Sequence, residues 1–268
     1  MTTNSSTLGT ALVTGASAGI GATYARQLAA RGHDLLLVAR DGARLQALAT
    51  ELSGAFGITA SVLTADLAHA EDTAKVAARI NSDQTIALLV NNAGIGPKEP
   101  LLKADIDYLD RMVAVNVAAV NRLAVAAAQA FTARGKGTIV NIASAVAIVP
   151  EAFNGTYSAT KAFVLALTQG LATELKDGPV RIQAVLPGFT RTEIFDRVGA
   201  SFDAIDPERV MDVEDLVAAA LAGLDQGELV TIPSLADPEL FSRIGSLRAG
   251  LSPHLSLRHP ASRYKAAA

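Results

Sequence analysis

Short apolar stretches alternate with segments of helical periodicity along most of the chain, and this alternation is the strongest structural signal in the sequence. Seven apolar stretches predict buried strands: Ala11–Thr14, Asp34–Ala39, Ala60–Thr64, Ile86–Val90, Thr138–Ile142, Arg181–Leu186 and Leu229–Ile232. Five longer segments between them predict helices: Ile20–Arg31, Ala43–Ala55, Glu71–Asn81, Asp105–Arg134 and Ser158–Lys176. Such alternation predicts βαβ units and a parallel sheet. Because the strands are apolar on both sides, helices are expected on both faces.

No linker, low-complexity stretch or strong internal repeat divides the 268 residues, so we predict a single α/β domain over residues 1–268. Residues 1–7 are polar, lack the features of a secretion signal and are expected to be flexible. Residues 191–211 are less regular and follow the sixth strand, where open α/β sheets bind ligands, which predicts a substrate lid. The polar, basic tail at 253–268 is expected to be loosely held.

Composition narrows the range of functions. The chain is 50% hydrophobic and 18% charged, which supplies one large core and argues against disorder. Its net charge of −3, with no run of Lys and Arg, predicts no nucleic-acid surface. The chain has no cysteine, which excludes disulfides, thiol nucleophiles and Cys–metal sites. Because this also fits a reducing compartment, we expect a cytoplasmic protein.

Metal and membrane sites are not expected either. The four isolated histidines form no metal-type spacing with carboxylates: His33, His69, His254 and His259. The most apolar long stretch, residues 112–131, is interrupted by polar side chains at Asn116, Asn121, Arg122 and Gln129. These interruptions favour a buried helix over a membrane span.

A glycine-rich turn at residues 14–21 joins the first predicted strand to the first predicted helix. Glycines in this setting permit a tight turn and bring backbone N–H groups and a helix N-terminus close to a pyrophosphate. Gly15, Gly19 and Gly21 depart from the common dinucleotide spacing G-x-G-x-x-G, and no Lys-Ser or Lys-Thr follows them as in a P-loop. Taken alone, the motif leaves open a glycine-rich turn that binds nothing.

The same turn also fits a second class of enzyme. Residues 15–19 match G-x-S-x-G, the nucleophile elbow of α/β-hydrolases, with Ser17 as the nucleophile in a strand–turn–helix setting. Part of that fold's oxyanion hole comes from a loop after its third strand, upstream of the serine. Only one predicted strand precedes Ser17. This order disfavours a hydrolase but leaves it open as an alternative.

Further motifs follow in chain order. Asn92, Ala93 and Gly94 follow the fourth strand directly, and Asn116 lies in the next helical segment. Ser144 follows the fifth strand, and the next helix carries the Y-x-x-x-K pair Tyr157 and Lys161. The sixth strand is followed by a Pro-Gly turn with two threonines: Pro187, Gly188, Thr190 and Thr192.

Together with the glycine turn, these motifs closely resemble the short-chain dehydrogenase/reductase family over residues 8–232. The resemblance implies a three-layer Rossmann-like sandwich with a seven-stranded, mostly parallel, doubly wound sheet in the order 3-2-1-4-5-6-7. It implies a catalytic tetrad of Asn116, Ser144, Tyr157 and Lys161. It also implies a dinucleotide cofactor held by Gly15, Ser17, Gly19, Ile20, Gly21, Asp66, Leu67, Asn92, Ala93, Gly94, Tyr157, Lys161, Pro187, Gly188, Thr190 and Thr192.

The spacing of Tyr157 and Lys161 has a chemical rationale of its own. Residues four apart on a helix lie on one face, and a nearby ammonium lowers the pKa of a phenol. We therefore predict that Tyr157 exchanges a proton with a substrate oxygen, to which Ser144 also hydrogen-bonds. The resemblance adds that Lys161 holds the nicotinamide ribose and that Asn116 holds a proton-relaying water.

The end of the second strand predicts the cofactor. An acidic residue there binds the ribose 2′-hydroxyl of NAD, whereas an arginine accommodates the 2′-phosphate of NADP. Ala39 stands where the family places the acid, and Arg40 follows it. Because a guanidinium pairs well with phosphate, NADP(H) is predicted. Asp41, one residue later, remains an alternative as a ribose ligand.

Apolar residues in the loops and the predicted lid are candidates for the substrate wall: Ile95, Val146, Ile148, Phe153, Phe189, Ile194, Phe195, Val198 and Phe202. They predict a hydrophobic ketone, aldehyde or secondary alcohol. The predicted helices at 105–134 and 158–176 are alanine-rich, with apolar faces wider than one core needs. The resemblance implies that these helices pair between subunits, so a homodimer or homotetramer is expected.

The sequence thus predicts an NADP(H)-dependent oxidoreductase that interconverts a hydrophobic carbonyl compound and an alcohol, with Tyr157 as general acid/base. Three alternatives stay open: a Ser17 hydrolase, a non-catalytic NADP-binding sensor, and an epimerase or dehydratase of the related longer branch. The presence of both Tyr157 and Lys161 disfavours the sensor. The short chain and its glycine spacing favour simple redox chemistry.

Overall fold

A computed structural model of the protein describes residues 8–192 and 205–264. Its strands are β1 (Thr10–Thr14), β2 (Asp34–Ala39), β3 (Ala60–Thr64), β4 (Ile86–Asn91), β5 (Gly137–Ile142), β6 (Val180–Val185), β7 (Phe189–Thr190), β8 (Val210–Met211) and β9 (Val230–Thr231). Seven of them form a parallel sheet in the order β3-β2-β1-β4-β5-β6-β9. The short strands β7 and β8 pair in parallel with each other. The predicted sheet order is confirmed, with β9 as the seventh strand.

The α-helices of the described residues are α1 (Gly19–Ala30), α2 (Gly42–Phe56), α3 (Ala70–Ser82), α4 (Ile106–Val113), α5 (Val120–Arg134), α6 (Gly155–Glu174), α7 (Val213–Asp225) and α8 (Glu239–Leu251). The sequence analysis did not predict α7 or α8. In α7 the signal was present, because its buried residues recur at helical spacing, among them Leu216, Ala220 and Leu224.

Alternate residues of each strand pack on opposite faces of the sheet. Leu12 and Leu36 belong to one apolar cluster, which also contains residues of α3 and α5. Their chain neighbours Val13 and Leu37 belong to a second cluster, with residues of α1, α2 and α7. Because both faces are covered, the strands are apolar throughout rather than alternating, as the sequence analysis predicts.

Side-chain N-caps mark the first turns of two helices, α2 and α6. The Asp41 carboxylate accepts a hydrogen bond from the backbone N–H of Arg44 at 3.0 Å and begins α2. The Asn154 side chain accepts one from the N–H of Tyr157 at 3.1 Å and begins α6. Such caps satisfy backbone donors that the first turn of a helix leaves open, so each cap defines where its helix starts.

The helix predicted at 105–134 contains an irregularity. Between α4 and α5 the residues Ala114–Ala119 are π-helical, and Asn116 lies inside this segment. Single π-turns within α-helices occur frequently at functional sites. The stretch Ile106–Arg134 is long and apolar enough to cross a membrane by length and composition alone, and 56% of its most apolar window is buried inside the fold. Leu123, Ala127 and Phe131 are fully buried in it, as in a core helix.

The chain divides into two compact units, one up to Pro233 and one from Ser234. The expected single domain over residues 1–268 stays a prediction. In the described part of the second unit, residues 234–264, α8 and the turns Ser252–His254 and Ser262–Tyr264 bury none of their residues. The predicted flexible N-terminus at 1–7 and the end of the predicted tail, 265–268, lie outside the described residues.

Two glycine substitutions are expected to change stability in opposite directions. A β-carbon at Gly137, where β5 begins, would overlap the buried ring of Phe131. We expect Gly137→Ala to lower the free energy of unfolding by about 2 kcal/mol, since overpacking forces a core to move. A β-carbon at Gly54, inside α2, meets no atom within 4 Å. Gly54→Ala should therefore raise the free energy by about 0.5–1 kcal/mol through helix propensity.

Urea unfolding followed by circular dichroism measures both variants against the parent protein. A Gly137→Ala protein as stable as the parent would contradict the close approach of β5 to Phe131. A loss of stability in Gly54→Ala would contradict the open surroundings of that helix position.

Candidate active site

The glycine turn is fastened to the end of β4. The Thr14 hydroxyl oxygen accepts hydrogen bonds from the backbone N–H groups of Asn92, at 2.9 Å, and Ala93, at 3.0 Å. The Asn92 amide nitrogen donates in return to the Thr14 carbonyl oxygen at 2.9 Å. Because β1 and β4 are neighbours in the sheet, these bonds hold two predicted cofactor-binding segments together at its carboxyl edge.

The glycines are required by this close approach. Gly15 and Gly19 have φ of 66° and 52°, in the left-handed region that favours glycine. A β-carbon at Gly15 would lie 2.8 Å from the Asn92 amide nitrogen, and one at Gly21 would overlap the Gly15 carbonyl group. A β-carbon at Gly19 would lie 3.4 Å from that of Thr192, so the segment after β6 also borders the turn.

The N-terminus of α1 suits an anion. No side chain caps this helix at Ala18, and its first turn contains no acidic residue. Its backbone N–H groups and the positive end of its dipole are therefore available to a phosphate. The glycine cradle and the uncapped helix fit the pyrophosphate of a dinucleotide, with Ser17 and Ile20 in or next to the turn.

The hydrolase alternative gains no support from the surroundings of Ser17. The ring of His33 lies 3.2 Å from the Gly9 carbonyl oxygen, and His69 lies 3.9 Å from the Asp66 carboxylate. Neither histidine of the larger unit therefore forms the hydrogen bond to Ser17 that a general base needs.

Tyr157 and Lys161 lie on α6 beside the ends of β5 and β6. The Lys161 ammonium donates to the Ile142 carbonyl oxygen at 2.9 Å and lies 5.8 Å from the centre of the Tyr157 ring. Ser144 begins the turn after β5, donates to the Pro187 carbonyl oxygen at 3.3 Å and hydrogen-bonds with the Tyr157 phenol. Three predicted catalytic residues therefore meet at one edge of the sheet.

Asn116 ties two parts of this site together. It is 1% exposed, and its side chain both accepts from the N–H of Ile95, at 2.9 Å, and donates to the Ile95 carbonyl oxygen, at 3.0 Å. It also donates to the Thr160 hydroxyl at 3.2 Å, and that hydroxyl donates to the Tyr157 carbonyl oxygen at 2.8 Å. The side-chain amide thus connects the loop after β4 to α6, and the predicted proton-relay role of Asn116 stays a prediction.

Thr160 is a site residue that the sequence analysis missed. Its position directly before Lys161, inside the Y-x-x-x-K motif, was the available signal. The hydrogen bond to Asn116 joins residues 44 positions apart, so no local pattern could predict it. Gly94 completes the group, because a β-carbon there would lie 3.3 Å from the Asn116 side-chain oxygen and 3.6 Å from the Lys161 ammonium.

Burial governs the protonation of this site. Burial raises the pKa of Tyr157 to about 12, and the hydrogen bond with Ser144 opposes that rise only in part. Burial also lowers the pKa of Lys161 to about 8. The predicted lowering of the Tyr157 pKa by Lys161 is wrong for the protein's own groups, because loss of hydration is the largest effect on the phenol and raises its pKa. The phenol is therefore protonated at neutral pH.

The segments that would hold the adenosine end lie at the same edge of the sheet. The N–H of Ala65 donates to the Ala39 carbonyl oxygen at 3.0 Å, which keeps the ends of β2 and β3 adjacent. Arg40 is exposed, and no described side chain makes an ion pair with it. The Asp41 carboxylate caps α2, which disfavours the alternative of Asp41 as a ribose ligand.

Asp66 is held on both of its carboxylate oxygens. One accepts from the N–H of Ala68 at 3.0 Å, and the other pairs with the Arg111 guanidinium at 2.7 Å. Burial alone would raise the pKa of Asp66, but these bonds hold it below its usual value. The side chain of Leu67 lies in the core, so only its backbone can face a cofactor. Arg111 was not predicted, because it lies 45 residues from Asp66 in the chain.

The predicted substrate wall is described in part. Ile95, Val146, Ile148 and Phe189 are half-buried. Phe153 is 46% exposed, and its ring stands edge-on to that of Tyr157 with the ring centres 5.7 Å apart. The remaining wall candidates lie outside the described residues: Ile194, Phe195, Val198 and Phe202.

Only the two ends of the predicted lid at 191–211 are described. They are joined because β7 pairs with β8 and the N–H of Arg191 donates to the Met211 carbonyl oxygen at 3.0 Å. The Arg191 guanidinium lies 3.2 Å from the Asp212 carboxylate. Pro187 is buried, Gly188 is exposed, and the Thr190 hydroxyl donates to the Gly188 carbonyl oxygen at 3.2 Å. The segment after β6 therefore runs from the Ser144 loop to the glycine turn.

This fold and site define a dinucleotide-binding oxidoreductase of the α/β class. A family model described as short chain dehydrogenase matches residues 9–201, and the chain belongs to this family. The expected family is thereby confirmed.

Relatives and solved structures agree with this membership. A short-chain dehydrogenase from Sphingobium yanoikuyae in complex with NADPH is 45% identical with a TM-score of 0.92, covering 96% of this chain and 100% of that one. A bulky-bulky ketone specific alcohol dehydrogenase from Comamonas testosteroni is 44% identical with a TM-score of 0.88, covering 96% and 98%. A very-long-chain 3-oxoacyl-CoA reductase from Anas platyrhynchos is 34% identical over 74% of this chain, and the match spans only 65% of that relative.

The buried Lys161 predicts a pH-dependent stability. Its pKa falls from 10.5 to about 8 on folding, so between these values the unfolded chain binds more protons than the folded one. The free energy of unfolding should therefore rise with pH in this window, relative to Lys161→Met, by about 2 kcal/mol. Urea unfolding of both proteins at pH 7.5 and 10 checks this, since Tyr157 contributes equally to both. If the difference in the free energy of unfolding between the two proteins is the same at pH 7.5 and 10, the lowered pKa of Lys161 is contradicted.

Proposed function

We propose that the protein is an NADP(H)-dependent enzyme that interconverts a hydrophobic ketone or aldehyde and the corresponding alcohol, with Tyr157 as the general acid/base. The observation that carries this proposal is the meeting of Tyr157, Ser144 and Lys161 beside an uncapped, glycine-lined helix N-terminus. Bound NADP(H) supplies or accepts the hydride, and the chain positions the reacting groups.

Arg40 and the glycine turn support NADP(H) as the cofactor. The exposed guanidinium follows β2 directly, where a 2′-phosphate is expected, and a guanidinium forms strong paired hydrogen bonds with phosphate. The similar dehydrogenase from Sphingobium yanoikuyae is in complex with NADPH. Lys161, beside the end of β5, and Asn92, after β4, are the residues proposed to border the nicotinamide ribose.

The protonation state of Tyr157 is compatible with the role of proton donor in the reductive direction. A phenol with a pKa near 12 is protonated at neutral pH and can donate its proton to a carbonyl oxygen. Ser144 hydrogen-bonds with Tyr157, so its hydroxyl can orient the same oxygen. In the reverse reaction, Tyr157 would accept the proton of the alcohol.

The described part of the substrate wall supports an apolar substrate. Val146 and Phe153 lie within four residues of Ser144 and Tyr157, respectively, in the chain, and the Ile95 backbone hydrogen-bonds the Asn116 side chain. Ile95 and Val146 are half-buried and Phe153 is exposed, so none of the three is sealed in the core. Pockets lined by such residues favour apolar ligands. The similar Comamonas testosteroni enzyme is specific for bulky-bulky ketones, which supports a ketone with large groups on both sides.

Removal of the Tyr157 hydroxyl is the direct test of the mechanism. We expect Tyr157→Phe to reduce the turnover of a hydrophobic ketone by about 10²–10⁴-fold, because the proton donor is lost. NADPH absorbance measures turnover, and calorimetry measures NADPH binding, which should change little. A variant with unchanged turnover would contradict the role of Tyr157. A wild type that binds NADPH but turns over no ketone or aldehyde would favour the sensor alternative.

Neutralisation of Arg40 tests the cofactor assignment. We expect Arg40→Gln to weaken NADPH binding by about tenfold or more and NADH binding by less than twofold, because only NADPH carries the 2′-phosphate. Arg44→Gln is the control, since Arg44 is also an exposed arginine at this end of the sheet and lies 3.6 Å from Asp41. An equal effect of Arg40→Gln on both cofactors would overturn the assignment.

Two broader expectations remain proposals. We propose a homodimer or homotetramer, supported by apolar side chains left exposed on α4, Ile106 at 73% and Val113 at 42%. We propose a cytoplasmic location, supported by a sequence without cysteine.

A further inference from the structure

Arg111 makes an ion pair that the catalytic chemistry does not need. It lies on α4, and its guanidinium nitrogen is 2.7 Å from an Asp66 carboxylate oxygen, with the two side chains 37% and 24% exposed. The contact joins α4 to the loop after β3, two elements far apart in the chain. Most surface ion pairs contribute little to stability, so this pair calls for a reason beyond holding the fold.

Asp66 places a negative charge close to the proposed phosphate-binding Arg40. It follows β3 at the same edge at which Arg40 follows β2, and the two strands are neighbours. The charge of Arg40 contributes, after the Ala68 and Arg111 contacts, to the lowered pKa of Asp66. It also opposes the burial that raises the pKa of Tyr108, a residue of α4. A carboxylate beside a group that binds a phosphate repels that phosphate, and the repulsion is stronger away from bulk water.

Arg111 supplies the missing positive charge. Arg40, Asp66 and Arg111 together carry a net charge of +1, and the neighbouring Asp41 and Asp72 are each paired with a cation of their own, Arg44 and Lys75. Without Arg111, the charges of Arg40 and Asp66 would cancel. The pair also leaves neither oxygen of Asp66 without a donor, because the second oxygen accepts from the N–H of Ala68. The carboxylate is therefore held in one orientation as well as neutralised.

We propose that Arg111 is a positioning residue for cofactor choice: it neutralises and orients Asp66, so that Arg40 binds the 2′-phosphate of NADP(H) without competition from the carboxylate. The inference rests on the proposed NADP(H) cofactor and deepens it. It predicts that preference for NADP(H) over NAD(H) depends on three residues rather than on Arg40 alone. NAD(H) carries no 2′-phosphate, so its binding depends much less on the charge of Asp66.

The test is a double-mutant cycle on cofactor binding. Dissociation constants for NADPH and NADH are measured by calorimetry for the wild type, Arg111→Met, Asp66→Asn and the double variant. We expect Arg111→Met to lower the NADPH/NADH preference about fivefold, a typical effect of an uncompensated nearby charge. In the Asp66→Asn background the same substitution should leave the preference nearly unchanged, because no carboxylate remains to be neutralised.

Two controls separate this role from a structural one. Arg79→Met removes a comparable surface arginine, paired with Asp83 at 2.9 Å at the C-terminal end of α3, and should leave the preference unchanged. Arg111→Lys restores the charge but not the geometry of the pair and should recover part of the preference. Thermal unfolding of every variant identifies those that lose stability. In the Arg111 variants, the effect on ketone reduction should appear in the KM for NADPH rather than in kcat.

Each outcome has one meaning. An unchanged preference in Arg111→Met, with wild type selective for NADPH, overturns the inference and leaves the proposed function intact. A loss of preference that is equal in both backgrounds also overturns it, since Arg111 would then act on the phosphate directly. A wild type that prefers NADH overturns the proposed cofactor itself.

Discussion

The parallel pairing of β1 with β4 is the constraint on which the site depends. At this pair the strand order reverses: the chain adds β2 and β3 on one side of β1, and then β4, β5, β6 and β9 on the other. A reversal of strand order leaves a crevice at the carboxyl ends of the two central strands. The hydrogen bonds that the Thr14 hydroxyl accepts from Asn92 and Ala93 hold the two sides of that crevice together. Gly15 and Gly21 are needed where the turn approaches the Asn92 side chain.

Burial then sets the chemistry of the catalytic residues. The ammonium of Lys161 and the phenol of Tyr157 are both removed from water, and each is driven towards its neutral form, with a lowered and a raised pKa respectively. A phenol that stays neutral at physiological pH can donate a proton, which is what the proposed reduction of a carbonyl requires. The network of Asn116 and Thr160 fixes the backbone of the helix that carries both groups. Position and protonation state therefore follow from one packed arrangement.

Electrostatics at the other end of the crevice depends on a third residue. Arg40 could be recognised from its place after β2, but the charges of Asp66 and Arg111 also act on a phosphate bound beside it. A binding site for a phosphate is defined by the sum of nearby charges rather than by one arginine. For this reason the proposed preference for NADP(H) depends on residues of three elements: Arg40 after β2, Asp66 after β3 and Arg111 on α4.

The sequence by itself determined the sheet, its covering helices and the positions of Tyr157, Lys161, Ser144 and Arg40, because apolar periodicity and short motifs are local. Only the tertiary structure decided how distant residues act on them. The Asn116–Thr160 and Asp66–Arg111 contacts join positions 44 and 45 residues apart, and no local pattern encodes such pairs. The raised pKa of Tyr157 and the π-helical turn at Asn116 likewise depend on packing, since burial and backbone irregularity arise only when the helices are assembled on the sheet.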